Sequence, residues 1–315
     1  MLLQTHIPLY PEKNQISYDK RILMLGSCFV ENIGEKLKYF KFSVQVNPFG
    51  ILFHPKAILN LLERAEQKRS YTENDIFFLN ERWHSYEAHS DLSGLSKQEV
   101  LEGLNKALQL TLSSLSCADF IVITSGTAWA YQLKNAERVV ANCHKVPQNE
   151  FDKVLWPVEQ LEDCYKKILK LIKRINPNVR IVFTVSPVRH LKDGFVENQQ
   201  SKAHLMTATH LTISAAEQSF YFPAYEIMMD ELRDYRFYTD DMVHPNAMAV
   251  SYIWEKFKKV WVDPKSYQLM DEIDKIQKGL NHKPFNPDSG QHRSFRRKLQ
   301  HRIDRIKEQY PEMVF

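Results

Sequence analysis

Three runs, "RILML" (21–25), "DFIVITSG" (119–126) and "VRIVFTVS" (179–186), carry apolar residues at consecutive positions instead of alternating ones. Strands with that pattern are buried on both faces, which requires helices on both sides of a largely parallel sheet. The segments between them agree. "FVENIGEKLKYF" (29–40) places Phe29, Ile33, Leu37 and Phe40 at helical spacing. "FSVQV" (42–46) reads as a second strand, followed by a turn-like "NPFG" and a helix that begins at Pro55. A long helix from Lys97 to Leu115 feeds the second of the three runs, and a loop-rich stretch to Trp156 precedes a helix from Pro157 to Ile175. After the third run come a helix over 200–218, a short "FYF" at 220–222 and a helix from Pro245 to Val260. This alternation predicts an α/β fold with active residues gathered at the carboxyl ends of the strands. Residues 71–95, polar and aromatic, break the rhythm as an insertion or small hairpin, which serves as a lid or sugar platform or simply packs a satellite core.

At 315 residues and 43% hydrophobic content, the chain suits one main domain with attachments. Cys28, Cys117, Cys143 and Cys164 have no metal-type spacing and no CxxC pair, so a reducing compartment is expected. The first residues do not resemble a secretory leader, and no run approaches 18 apolar residues, which points to a cytoplasmic protein with no membrane span. With nine glycines and neither a GxGxxG nor a P-loop motif, no nucleotide cofactor is expected. The net charge of +4 conceals an asymmetry: residues 293–307 hold seven basic side chains and one acid, leaving the remainder at −2. Phe295, Leu299, Ile303 and Ile306 form one helical stripe there, so the stretch reads as a docked helix with a solvated basic face, with no nucleic acid expected as partner. The expected division is a body over 1–262, with 71–95 inserted, and a helical basic extension over 263–315.

"MLGSCFVENIG" (24–34) puts Ser27 and Cys28 where a strand turns into a helix. Free backbone N–H groups at such a turn can stabilise an oxyanion, which suits a nucleophile, but a serine there can equally be a helix cap. Adjacent side chains diverge, and this favours one of the two residues facing any given base, while a thiolate is the stronger intrinsic nucleophile. In "DDMVHPN" (240–246), Asp241 and His244 stand three apart, a spacing that lets a carboxylate hold an imidazole in the tautomer that removes a hydroxyl proton. The same residues can also make an ordinary turn. Cys143 and His144 in "ANCHK" suit a structural or substrate-lining role better than a catalytic pair, and His84 and His89 give only a weak zinc pattern. Arg189 and His190 in "SPVRH" follow a strand and are placed to line a pocket mouth, where Arg189 fits a substrate carboxylate or phosphate, with a buried structural ion pair as the competing account.

Taken together, a serine after the first strand, glycines after the second and third, and DxxHP before the last body helix resemble the SGNH/GDSL hydrolase superfamily. "GSCFVENIG" is similar to the signature of the GSCFA family, with valine where that name has its final alanine. "NPFG", "GTAW", "NCHK", "SPVRH", Asn198 to Ala203, "YFPAYEIM" and "DDMVHP" extend the resemblance over residues 3 to 262. The resemblance implies a three-layer α/β/α sandwich with Ser27 as nucleophile, His244 as general base and Asp241 as its orienting partner. It also implies that the N–H groups of Gly50 and Ser27 converge on an oxyanion near Ser27 Oγ. Where the superfamily expects glycine, any residue, then asparagine, this chain has Gly126, Thr127 and Ala128, which leaves Asn47, Thr127 or Asn142 as replacements, the two amides ranked ahead of the hydroxyl because they reach further. The activity expected is that of an esterase removing a small acyl group from a carbohydrate or other polar metabolite. If the two amides fail to converge, a binding protein on the same fold becomes the stronger reading. An acyltransferase is the third reading.

Overall fold

The computed structural model describes residues 4–136 and 138–315; residues 1–3, which open the expected body, and Glu137 lie outside this description. The chain runs β1 (Arg21–Gly26), α1 (Cys28–Tyr39), β2 (Ser43–Val46), α2 (Pro55–Glu66), β3 (Phe77–Leu79), β4 (Arg82–His84), α3 (Lys97–Cys117), β5 (Phe120–Ser125), β6 (Trp129–Leu133), β7 (Arg138–Val140), β8 (Phe151–Leu155), α4 (Val158–Ile175), β9 (Arg180–Val185), α5 (Phe195–Ser214), β10 (Ser219–Tyr221), α6 (Ala224–Glu226), α7 (Ala247–Trp261), α8 (Tyr267–Leu280) and α9 (Gly290–Gln309). The central sheet has the order β10-β9-β5-β1-β2, and every pairing in it is parallel.

The two faces of the sheet follow from period-2 alternation along each strand. Leu23 and Leu25 of β1, Ile121 and Ile123 of β5, and Ile181 and Phe183 of β9 pack against α2, α3, α4 and α5. Ile22, Met24, Phe120, Val122 and Val182 face the other way, against α1 and α7 through Phe29, Ile33, Leu37, Ile253 and Phe257. The result is an α/β/α sandwich in which β1, β5 and β9 are covered twice over, as their uninterrupted apolar runs require.

Several expectations need correction. The stretch before Trp156 is not loop-rich: it folds into an antiparallel sheet of order β7-β6-β8. Helix α5 begins at Phe195, five residues early, because Gly194 at φ 112° starts it. Pro245 does not open the last body helix. Asn246 caps α7 instead, its side chain accepting from the N–H groups of Met248 and Ala249. Residues 71–95 contain the β3–β4 hairpin, turned at Asn80 and Glu81, both at positive φ. This segment is anchored by Arg64, wholly buried, whose guanidinium meets Asp75 at 2.5 Å and Glu87 at 2.9 Å.

Beyond α7, helices α8 and α9 pack together through Ile273, Ile276, Leu299, Ile303 and Ile306. Phe295, expected on the same stripe, is 39% exposed. The basic side chains of 293–307 all point to solvent. Tyr39 of α1 donates to Asp274 at 2.9 Å and receives Gln277 at its carbonyl, tying α8 to the body. No helix among the described residues is long and apolar enough to cross a membrane.

Candidate active site

Ser27 is the cap residue of α1 but not its capping side chain. It has extended backbone angles (φ −71°, ψ 170°), and its hydroxyl makes no cap bond. The side chain is fully buried, and Oγ has no hydrogen-bond partner among the described residues. A buried hydroxyl left without a partner costs free energy. The turn that places it depends on Gly26. At φ +133°, a Cβ there would stand 2.0 Å from the Thr124 carbonyl oxygen.

Asp241 and His244 form a preset pair. His244 Nδ1 lies 2.6 Å from Asp241 Oδ2. Asp241 Oδ1 accepts from Thr239 Oγ1 at 2.6 Å, Val243 N at 2.8 Å and His244 N at 3.0 Å. These bonds, that from Thr239 foremost, hold the carboxyl well below the usual range. An ionised Asp241 requires the proton on Nδ1, which leaves Nε2 of the half-exposed His244 ring as a free acceptor. His244 makes no hydrogen bond to Ser27 in this conformation, since Ser27 Oγ has no partner.

Arg189 turns out to hold this pair in place. Its Nη2 donates to Met242 O, its backbone N–H to Val243 O at 3.2 Å, and its guanidinium lies 4.4 Å from the Tyr238 ring centroid. These contacts clamp the 241–244 loop to the end of β9.

The expected oxyanion donors are engaged elsewhere. Ser27 N–H extends the β1–β5 ladder to Thr124 O at 3.0 Å, and Gly50 N–H closes the "NPFG" turn onto Asn47 O at 2.8 Å. Asn47 accepts Gly26 N–H at Oδ1 and directs Nδ2 to Glu31. Gly126 and Thr127 both donate their N–H groups to Phe53 O, and the Thr127 hydroxyl bonds Ser201 and Trp129 N. Asn142 and His144 belong to the anchoring of residues 85–90. Asn142 receives His144 N–H and reaches Ser90, while the His144 ring donates from Nε2 to Ser85 O at 2.7 Å and accepts at Nδ1 from Ser90. Burial pushes that imidazole down to about 4, so it stays neutral. Beside Ser27 lies the first turn of α1, where the N–H groups of Cys28 and Phe29 precede any intrahelical acceptor and bear on Cys28 Sγ. Burial drives the Cys28 thiol up to about 11, away from thiolate chemistry.

A family model, the GSCFA family, matches residues 21–257, and a second, the GSCFA domain protein C-terminal domain, matches residues 273–315. The chain belongs to the GSCFA family. A search of curated protein sequences finds no match. Among solved structures, the GSCFA chain is similar to a carbohydrate esterase family 3 protein from Talaromyces cellulolyticus, at 10% identity and TM-score 0.38 over 80% of this chain and 99% of that one. It is also similar to a family 3 carbohydrate esterase of Clostridium thermocellum, at 11% identity and TM-score 0.36 over 80% and 98%, and to a Streptococcus pneumonia protein provisionally described as a platelet activating factor, at 12% identity and TM-score 0.42 over 77% and 85%.

One helix of the GSCFA domain contributes to the strand ends more than its sequence suggests. On α5, Asn198 Oδ1 accepts His190 N–H at 2.8 Å, Ser201 Oγ accepts Ala128 N–H at 2.7 Å, and Lys202 Nζ donates to Gly126 O at 2.6 Å and Ser186 O at 2.8 Å. All three side chains are buried. Asn198, Ser201, Lys202 and Leu205 are spaced as one helical stripe, so a polar start to a buried stripe was the available signal.

Proposed function

We propose that this GSCFA protein is a serine-dependent acyl hydrolase of the SGNH type, an esterase removing a small acyl group from a carbohydrate or other polar metabolite. The observation that carries the reading is the Asp241–His244 pair, held at 2.6 Å with Nε2 free, on the same sheet edge as an unpartnered Ser27 hydroxyl. In the proposed step, His244 Nε2 takes the Ser27 proton as Oγ bonds to the acyl carbon and the carbonyl electron pair moves to oxygen. Collapse expels the alcohol, protonated by His244, and water then releases the acid by the same route. Donors at the first turn of α1 take the place of the engaged amides, one residue further along than expected.

The engagement of the Ser27 and Gly50 N–H groups favours a second reading, a binding protein that keeps the fold without efficient chemistry. Under the expectation that these two amides form the oxyanion site, it would lead. Acyl hydrolysis stays ahead because a carboxylate fixed by four bonds and a correctly tautomerised imidazole serve no evident purpose in a passive scaffold. Labelling with a fluorophosphonate separates the two. The hydrolase is modified at Ser27 and Ser27→Ala is not; a scaffold leaves the native protein unlabelled.

A further inference from the structure

Lys202 is the most anomalous group in the molecule. A lysine is almost never wholly buried without an acidic partner, yet Lys202 has no exposed surface, and among the described residues its ammonium bonds only the carbonyls of Gly126 and Ser186, the residues that follow β5 and β9. No carboxylate pairs with it among the described residues. The Tyr225 ring centroid lies 5.6 Å away. Two carbonyl dipoles satisfy two N–H groups but leave one N–H and the net charge unanswered. Beside it, His190 Nε2 is buried with no partner among the described residues, 3.1 Å from where a Cβ on Gly126 would stand. The charge of Lys202 bears on Cys28, the neighbour of Ser27, and on His190, which also feels His244. The cation therefore stands among the groups that surround the nucleophile. Neither Thr127 nor Ala128 offers a free donor there, since both are bonded to Ser201.

We propose that Lys202 is the electrostatic partner of the negative charge that develops on the acyl oxygen at Ser27, a role that rests on the acyl-serine reading above. A neutral ester carbonyl gains little from a buried cation, whereas the tetrahedral oxyanion gains much, so the interaction lowers the barrier instead of tightening substrate binding. Lys202 keeps its protons throughout; the Ser27 proton goes to His244. Burial pushes the Lys202 ammonium down to about 7. The titratable groups facing it are Cys28 from α1, raised to about 11, Tyr225 from α6, raised to about 12, and His190 from the segment after β9, lowered to about 3; Glu31, one turn along α1, bears on Cys28. Among Lys202, Cys28, Tyr225 and His190, only Lys202 changes charge near neutrality.

The test is the rate of fluorophosphonate labelling of Ser27 across pH 5 to 9 in the native protein, Lys202→Met and Lys202→Gln, with thermal melting as the check on folding. The native rate is expected to fall as pH rises above about 7 and the ammonium is lost. Folded variants are expected to label roughly a hundredfold more slowly and without that descending limb, the size of effect seen when one oxyanion donor is removed. Native labelling with no loss in a folded variant overturns the role of Lys202 and leaves the hydrolase reading intact. If neither variant melts cooperatively, a native rate that stays flat or rises above pH 7 overturns it instead. Absence of any labelling in the native protein overturns both proposals together.

Discussion

A thiol and a hydroxyl stand side by side at the start of α1, and their surroundings separate them. The Cys28 thiol is half-buried and driven up to about 11, so at neutral pH it is a small apolar group with a weak donor. Cys28→Ala is therefore expected to keep Ser27 labelling within about threefold and to lower stability by about 1 to 2 kcal/mol through the cavity it leaves, read as a shift in denaturant midpoint. Ser27→Ala removes a hydroxyl with no partner among the described residues, and the ~1 kcal/mol penalty of a lost helix cap does not apply. Labelling lost in a folded Cys28→Ala and kept in Ser27→Ala would reverse the assignment of nucleophile. The pairing of Asp241 with His244 was legible from a three-residue spacing because both partners lie in one turn. The engaged amides of Ser27 and Gly50 were not, because which carbonyl an N–H meets is set by strands distant in sequence, Thr124 in the first case.

At the scale of elements, β1, β5 and β9 could be read directly because burial on both faces leaves an unbroken apolar run. Strand β8, "FDKVL", could not, since its middle residues Asp152, Lys153 and Val154 are exposed and only its pairing with β6 makes it a strand. The stripe on α5 was hidden for a related reason. Asn198, Ser201 and Lys202 are polar residues on a buried face, intelligible only once the carbonyls and amides they satisfy are known. The 241–244 loop is an element of this kind as well, held to the end of β9 by Arg189. Arg189→Ala is expected to reduce turnover of a p-nitrophenyl ester by about tenfold or more while changing KM little, because positioning the base acts on the chemical step. Arg189→Lys is expected to recover only part of that loss, since a lysine lacks the planar fork. An increase in KM with kcat unchanged would return Arg189 to the substrate-binding role.

For the molecule as a whole, desolvation holds three imidazoles neutral, those of the buried His54 and His144 and of the half-buried His190: it lowers His54 to about 3, His144 to about 4 and His190 to about 3. In the unfolded chain each takes up a proton near pH 6.5. The unfolded state thus binds more protons below that value, so stability is present above pH 6.5 and is lost progressively as pH falls towards 4. Urea midpoints measured between pH 7 and 4.5 are expected to decline steadily, and a flat profile would mean that these rings charge without cost. The same whole-molecule view gives meaning to the strand-like bridge between Ile16 and Val262, where Ile16 N–H meets Trp261 O and Asp263 N–H meets Ile16 O. During synthesis Ile16 leaves the ribosome 246 positions before Val262, the separation that the bridge spans. Until α7 emerges, Ile16 lacks its bridge partner, and the part of the sheet face that α7 covers beside α1 stays open. A nascent chain of this protein is thus committed to a long interval of exposed apolar surface, closed in a single late step, and that interval is where chaperone dependence and proteolytic loss will concentrate.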